Sequence, residues 1–198
     1  MGKIELDHTG SGSGVTISSD GTDLLLDGTA IGGGGTALEL YAENPSSPSA
    51  PSATGTNAVA IGNGAAASAF ETISIGRDSD ATSANNIALG RLAQSTGTNG
   101  ALALGFYASA SGERSISIGS GTSAFSSVSA GLGSVALGTS RASGTDSFAA
   151  AIANNTSSYG ATGANSVAMG PTAKASSSGA VSLGGISGAS SLASNTLA

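Results

Sequence analysis

Few residues of the chain could do chemistry, and the first to consider is the single histidine, His8. Glu5 and Asp7 lie close to it, so the three side chains could in principle form a metal site or an acid–base pair. A metal site needs further ligands at defined geometry, and this segment has none to offer. Serine is abundant, but no motif of a Ser-His-Asp enzyme surrounds His8. We therefore expect no catalytic residue, no metal and no cofactor, and we interpret His8 as part of a solvated strand end.

Two other segments resemble ligand-binding motifs without completing them. Residues 32–35 are four glycines, but the Lys-Ser/Thr pair of a phosphate-binding P-loop is missing and no helical pattern follows. A flexible joint is the better interpretation. Asp78 and Asp80 flank a turn beside Arg77, yet the Gly/Asp nonapeptide of calcium-binding β-helices is absent. We expect these two carboxylates to lie at a solvated edge.

Composition and charge exclude several classes of partner. The formal net charge is −6 and the six Lys and Arg residues are scattered singly, whereas nucleic-acid binding needs a basic cluster. No apolar run approaches the eighteen or so residues of a membrane helix. The segment after Met1 lacks the apolar centre of a secretory signal, so we expect no export by that route. Without cysteine, neither a disulfide nor a thiolate metal site can form.

A phrase of six residues occurs nine times between residues 57 and 184 and organises the rest of the chain. Its pattern is polar, small, apolar, small, apolar, glycine, as in the first copy from Asn57 to Gly62. The steps between successive copies are 14, 14, 15, 14, 19, 13, 19 and 14 residues. Such a period predicts a solenoid with rungs of about fourteen residues and two insertions. The first apolar residues of the nine copies are Val59, Ile73, Ile87, Leu102, Ile116, Val135, Phe148, Val167 and Val181.

Each rung is predicted to supply two short strands. The two apolar residues of a phrase are two positions apart and so point to one side of a strand. Beyond the glycine, small residues alternate in the same way, as at Ala65, Ala67 and Ala69. The seventh phrase, Phe148 to Ala151, has alanine where glycine is expected and is the irregular rung. The other glycines are assigned to the bend between the two strands, where a Cβ would be costly: Gly62, Gly76, Gly90, Gly105, Gly119, Gly138, Gly170 and Gly184.

Three segments are predicted along the chain. Residues 1–43 form a small β element for docking and assembly, because short apolar strands flank Asp20-Gly21, a strong hairpin signal. Residues 44–56 are a spacer rich in Pro, Ser and Gly. Residues 57–198 form the solenoid, whose nine rungs would stack into a rod about 40 Å long.

The two 19-residue steps predict loops that leave the solenoid, and such loops often form a binding face. The first, between Ser120 and Gly133, carries Phe125, and the second, between Asn154 and Ala164, carries Tyr159. With Phe106 and Tyr107 these residues are a large part of a small aromatic inventory. Aromatic anchors are typical of binding patches, so we predict these four as candidate surface contacts. The alternative is that they fill grooves between neighbouring protomers.

The phrase and its continuation, seen from Asn165 through Gly170 to Ala175, resemble the head repeat of the YadA-like trimeric autotransporter adhesins. The resemblance implies an all-β fold, a left-handed parallel β-roll of about nine rungs that packs as a homotrimer, preceded here by the small N-terminal β element. It also implies a non-enzymatic role. By resemblance, the apolar pairs would hold both roll and trimer together: Val59, Ile61, Ile73, Ile75, Ile87, Leu89, Leu102, Leu104, Ile116, Ile118, Val135, Leu137, Val167, Met169, Val181 and Leu183.

The family's signal sequence, coiled-coil stalk and membrane barrel have no counterpart in these residues. We therefore expect a homotrimeric fibre of a tailed-phage virion, at the virion surface, docked on another virion protein through its N-terminal element and reaching toward a host receptor. The alternative is the head of a bacterial autotransporter adhesin at the cell surface, binding host or matrix surfaces. A remote alternative, an ice-binding solenoid, needs threonines in one register, and the following do not keep one: Thr56, Thr72, Thr98 and Thr122.

Overall fold

A computed structural model describes residues 49–123, 126–150 and 159–184, together with strands at 3–6, 15–19, 24–26, 29–30 and 190–191. The chain divides into two compact units, Met1–Leu38 and Glu39–Ala198. Several residues singled out above lie outside the described part, and the interpretations that rest on them stay predictions: Asp7, His8, the glycines at 32–35, and Phe125.

The first unit contains a four-stranded antiparallel sheet in the order β1-β2-β3-β4. Ile17 of the second strand pairs with Ile4 on one side and with Leu26 on the other. The second and third strands are the two arms of the hairpin predicted around Asp20-Gly21. The four strands are β1 (Lys3–Leu6), β2 (Val15–Ser19), β3 (Leu24–Leu26) and β4 (Thr29–Ala30).

The second unit is a parallel β-solenoid of about nine turns, which confirms the predicted all-β fold class. Two parallel sheets face each other, and the chain alternates between them. The sheet of apolar strands contains β6 (Val59–Ile61), β8 (Ile73–Ile75), β10 (Ile87–Leu89), β12 (Leu102–Leu104), β14 (Ile116–Ile118), β16 (Val135–Leu137), β18 (Phe148–Ala150), β20 (Val167–Met169) and β22 (Val181–Leu183). The sheet of small residues contains β5 (Ser52–Ala53), β7 (Ala66–Ala67), β9 (Asp80–Ala81), β11 (Gln94–Ser95), β13 (Ser109–Ala110), β15 (Val128–Ser129), β17 (Arg141–Ala142), β19 (Gly160–Ala161), β21 (Lys174–Ala175) and β23 (Ser190–Ser191).

The repeat sets the register, because equivalent residues of successive rungs pair directly. Ile87 pairs with Ile73 on one side and Leu102 on the other, although the second step is one residue longer. The extra residue is absorbed in a bend. The irregular phrase also keeps its place, since Phe148 pairs with both Val135 and Val167.

The interior of the roll is filled by alanine and serine. In each apolar strand the small residue between the two large ones points inward, and Ala103 and Ser117 are fully buried there. In the facing sheet the second strand residue does the same, as at Ala81 and Ala110. A gap lined by methyl and hydroxymethyl groups has no room for leucine or isoleucine.

The apolar pairs therefore do not form the interior of the roll, and this part of the prediction was wrong. Ile118 is 37% exposed and Leu104 40% exposed in the single chain. Side chains alternate across a strand, so placing the small residue inside must place its two large neighbours outside. Ile118→Asp would not put a charge inside the roll.

Hydroxyl groups at the second phrase position close the bend before four of the apolar strands. Ser134 Oγ donates to the carbonyl of Gly131 at 2.8 Å, and Ser166 Oγ donates to that of Gly163 at 2.6 Å. Thr72 Oγ1 makes the same bond to Ala69, three residues back. These bonds satisfy buried hydroxyls that would otherwise destabilise the fold.

Asn86 compensates for the extra residue in the 15-residue step. Its Nδ2 donates to the carbonyls of Ser95 and Gly97, and its Oδ1 accepts from the amide of Ala101 at 2.8 Å. In shorter bends the amide at the position equivalent to Ala101 donates to the carbonyl three residues back, as Ser115 does to Gly112. The buried Asn86 side chain replaces that bond where the longer bend cannot form it.

Glycines stack in two columns, one at each bend. At the predicted bend Gly90 has a φ of +130°, and a Cβ there would lie 2.7 Å from the carbonyl oxygen of Gly105 on the next rung. The second column, at the opposite bend, was missed by the sequence analysis. A Cβ on Gly112 would meet the backbone of Gly131. Close contact between rungs therefore favours glycine at both bends, although Ala69, Ser83 and Ser177 occupy the second-column position on three rungs. The second column comprises Gly55, Gly97, Gly112, Gly131, Gly144 and Gly163.

The first residue of each phrase has a left-handed backbone, which explains its polar or glycine character. Across the nine rungs φ lies between 51° and 67° at this position. Asn, Asp and Gly tolerate this region better than other residues. The nine residues are Asn57, Glu71, Asn85, Gly100, Arg114, Gly133, Asp146, Asn165 and Gly179.

Candidate functional site

The outward side of strands β6 to β22, hereafter the apolar face, carries two columns of large apolar side chains on neighbouring rungs. The column nearer the turn glycines is the more exposed, with Ile75 at 37% and Leu183 at 52%. The outward positions of these strands contain no charged residue. An uncharged apolar surface that continues over nine strands is typical of a protein interface.

The opposite side, formed by the outward residues of strands β5 to β21, is polar. One column on this polar face contains Asp80, Gln94, Arg141 and Lys174. Burial raises the pKa of the Asp80 carboxyl above its usual value of 3.8. The two faces of the roll therefore differ sharply, and only the apolar face lacks charges.

A column of hydroxyl groups lies beside these residues on the polar face, and the sequence analysis missed it. The amides of its members bond to carbonyls of the next rung, as Thr96 does to Ala110 at 2.9 Å. Ala130 interrupts the column, and the charged residues beside it break up a flat hydroxyl surface. We therefore do not propose ice binding, despite this register. The hydroxyl residues are Thr54, Ser68, Thr82, Thr96, Ser111, Ser143, Thr162 and Ser176.

An aromatic and basic cluster lies at the bend that follows the turn glycines. Arg77, Arg91 and Phe106 each follow such a glycine on successive rungs. The amide of Leu92 bonds to the carbonyl of Arg77, and that of Tyr107 to the carbonyl of Arg91, so the first three residues share one column. We name Arg77, Arg91, Phe106 and Tyr107 the Arg–aromatic cluster.

Ring contacts organise this cluster. The guanidinium carbon of Arg91 lies 4.9 Å from the centroid of the Phe106 ring, within the range of a cation–π interaction. The ring centroids of Phe106 and Tyr107 are 4.6 Å apart, with the rings tilted by 47°. Sequence analysis had pointed to the two aromatic residues but not to Arg91. The sequence did contain a signal for Arg91, because Arg91 follows Gly90 as Phe106 follows Gly105 on the next rung.

The remaining predicted contact residue, Tyr159, is not part of this cluster. It is partly buried and packs against the cluster of buried alanines in the roll interior that includes Ala161 and Ala175. Both insertions lie, like the Arg–aromatic cluster, between an apolar strand and the next strand of small residues. The first lies between β14 and β15, next to Phe106.

The acidic residues discussed above do not converge on a site. Asp78 Oδ2 lies 3.5 Å from Nε of its neighbour Arg77, with both side chains about half exposed. No group of three or more metal-ligating side chains occurs among the described residues. In the same part of the chain, no helix has the length and apolar character needed to cross a membrane.

One protein-family model matches parts of the roll. The family model described as YadA head domain repeat (2 copies) matches residues 53–79, 99–122 and 161–185. These three stretches are similar in sequence to YadA head repeats. No curated protein matches the chain. YadA-type heads are in general non-enzymatic, surface-exposed adhesin domains that form homotrimers.

The three matched stretches lie near the start, in the middle and near the end of the roll. Residues 80–98 and 123–160 are not matched, and the second of these stretches holds the 13-residue step, the irregular Phe148 phrase and most of the second insertion. The structure continues both sheets through that stretch, where Val135, Phe148 and Val167 pair in register.

Proposed function

We propose that the chain is a non-enzymatic structural protein whose roll assembles as a homotrimer and projects from a surface. The observation that carries this proposal is the uncharged apolar face of strands β6 to β22. Leaving such a face in water is unfavourable, and covering it with identical faces requires no other partner. The YadA head repeats support three copies over two, because heads of this type are in general trimeric.

The free energy gained by covering this face is large enough to offset the cost of association. Full burial of an Ile or Leu side chain contributes about 1.5–3 kcal/mol. Since the more exposed column has exposures such as 37% at Ile75 and 42% at Met169, covering each side chain would contribute about 1 kcal/mol. Repeated over the rungs, this contribution offsets the estimated association cost of about 4–15 kcal/mol.

The first compact unit supports a more specific proposal for the carrier, a tailed-phage virion. A short antiparallel sheet separate from the roll is suited to dock on another virion protein, while the roll extends toward the host. A second candidate, the head of a bacterial surface adhesin, is favoured by the family match. Both candidates are trimeric, and they differ in whether a virion or a bacterial cell carries the chain.

Light scattering of the purified full chain tests the assembly. The expected mass is near three times the chain mass of 18.4 kDa. A mass of one chain at micromolar concentration would contradict the trimer. Antibodies against the roll, applied to purified phage particles and to intact bacteria, then test the carrier. Labelling of particles supports the virion, and labelling of cells alone supports the adhesin.

A further inference from the structure

We propose that the Arg–aromatic cluster binds an acidic saccharide, with an anionic group at the guanidinium groups and a sugar ring at the aromatic residues. This inference rests on the proposed surface display of the roll.

The first supporting observation is the placement of charge. Only six residues of this acidic chain are basic, and two of them, Arg77 and Arg91, stand on adjacent rungs in one column. Like charges on directly paired rungs repel each other. Asp78 partly neutralises Arg77, but no carboxylate of the described residues forms an ion pair with Arg91. A bound anion would relieve this repulsion.

The second observation is the chemistry of the side chains. Guanidinium groups hold carboxylates and phosphates by paired, charge-assisted hydrogen bonds. Arg91 lies over the ring of Phe106, which orients the group while its side chain stays exposed. Phe106 and Tyr107 are only partly buried. The cluster thus places an anion-binding group beside two apolar ring surfaces, as an acidic sugar requires.

The third observation is the neighbouring insertion. The amide of Gly121 donates to the carbonyl of Phe106 at 3.1 Å, so the first insertion starts on the rung next to the aromatic pair. The backbone at Gly121 borders the cluster on that side. In a trimer the site would occur three times, which raises the avidity for a polymeric saccharide.

Calorimetric titration of the full-length protein tests the proposal. The probes are a galacturonic acid oligosaccharide, its neutral methyl ester, and a phosphomannan oligosaccharide. We expect binding to at least one acidic probe and none to the ester. The charged probe that binds distinguishes a carboxylate ligand from a phosphate ligand. Failure of both acidic probes would overturn the proposal.

Matched variants separate a built site from general electrostatic attraction. Arg91→Gln should weaken binding about tenfold, the loss expected for a charge-assisted hydrogen bond. Arg114→Gln removes the same charge from an exposed arginine beside Glu113 at the other bend and should change binding less than twofold. Equal losses in the two variants would contradict the proposed site.

Phe106→Leu tests the ring while preserving apolar volume. It should weaken binding severalfold and leave the mass by light scattering unchanged. Loss of assembly in this variant would show that Phe106 packs between protomers, and would overturn the proposal. Parent protein that is trimeric but binds no acidic probe refutes only the saccharide site, whereas monomeric parent protein refutes the proposed function itself.

Discussion

Ile118→Asp distinguishes the outer face of the apolar sheet from its interior. Ile118 lies on the apolar face and is 37% exposed, whereas its neighbour Ser117 is fully buried and donates to the carbonyl of Ser127 at 2.9 Å. In a single roll, an aspartate at 118 can reach water. We therefore expect Ile118→Asp to leave the roll folded, at a cost near the 1 kcal/mol typical of point substitutions.

The same substitution should abolish the trimer. Covering the exposed third of Ile118 contributes about 0.5–1 kcal/mol per chain, or about 1.5–3 kcal/mol for three chains. Aspartate loses this contribution and brings three carboxylates to the same level of a threefold assembly. Burying an unpaired charge costs several kcal/mol even after relaxation. The sum exceeds about 5 kcal/mol, which corresponds to more than a thousandfold weaker association.

Light scattering and circular dichroism together read out the two effects. Ile118→Asp should show the mass of one chain and retain a β-sheet spectrum. Ser117→Asp should lose the β-sheet spectrum, because its charge enters the interior. Ile118→Val is the conservative control and should remain trimeric. An Ile118→Asp variant that stays trimeric and melts like the parent would refute the assignment of the apolar face to the interface.

Three further predictions concern single positions in the roll. Gly112→Ala should lower the free energy of unfolding in urea by at least about 2 kcal/mol, because its Cβ would meet the backbone of Gly131. Gly138→Ala has free space around its Cβ and should lower it by about 1–2 kcal/mol, because the backbone there is left-handed. Asn86→Ala should cost about 2–4 kcal/mol in the same assay, since it leaves the long bend without its side-chain hydrogen bonds; an unchanged midpoint would show that water replaces them. Asp80→Asn should raise the free energy of unfolding slightly at pH 7, by no more than about 0.5 kcal/mol. Burial raises the pKa of this carboxyl, so its ionised form is unfavourable in the fold, and the advantage of asparagine should vanish below pH 3.8; an advantage that persists there would contradict this cause.

The long-range order of the roll was predictable because each rung contacts mainly its neighbours. A period of fourteen residues brings Ile73 beside Ile87 whatever the rest of the chain does. The bend glycines were predictable for the same reason, since stacked bends bring backbone against backbone. The second glycine column had the same signal in the sequence, and Gly97 and Gly112 recur at the rung period.

The candidate site was only partly predictable. Phe106 and Tyr107 stood out as rare aromatic residues in a chain of small ones. The contact of Arg91 with Phe106 depends on the direction that a long side chain takes from its rung, which no periodicity fixes. The role of Asn86 depends on which backbone groups a longer bend leaves unpaired, and this is visible only in three dimensions.

The sequence by itself determined the solenoid: the number of rungs, the two strands in each, the positions of the bends and the sites of the insertions all follow from the repeat. Only the tertiary structure decided which side of the apolar strands faces inward. Alternation creates two faces on a strand and does not determine which face lies inside. The narrow space between the two closely stacked sheets determines it, because only small side chains such as Ala103 and Ser117 fit there. Leu104 and Ile118 therefore lie outside, on the face that we propose to form the trimer.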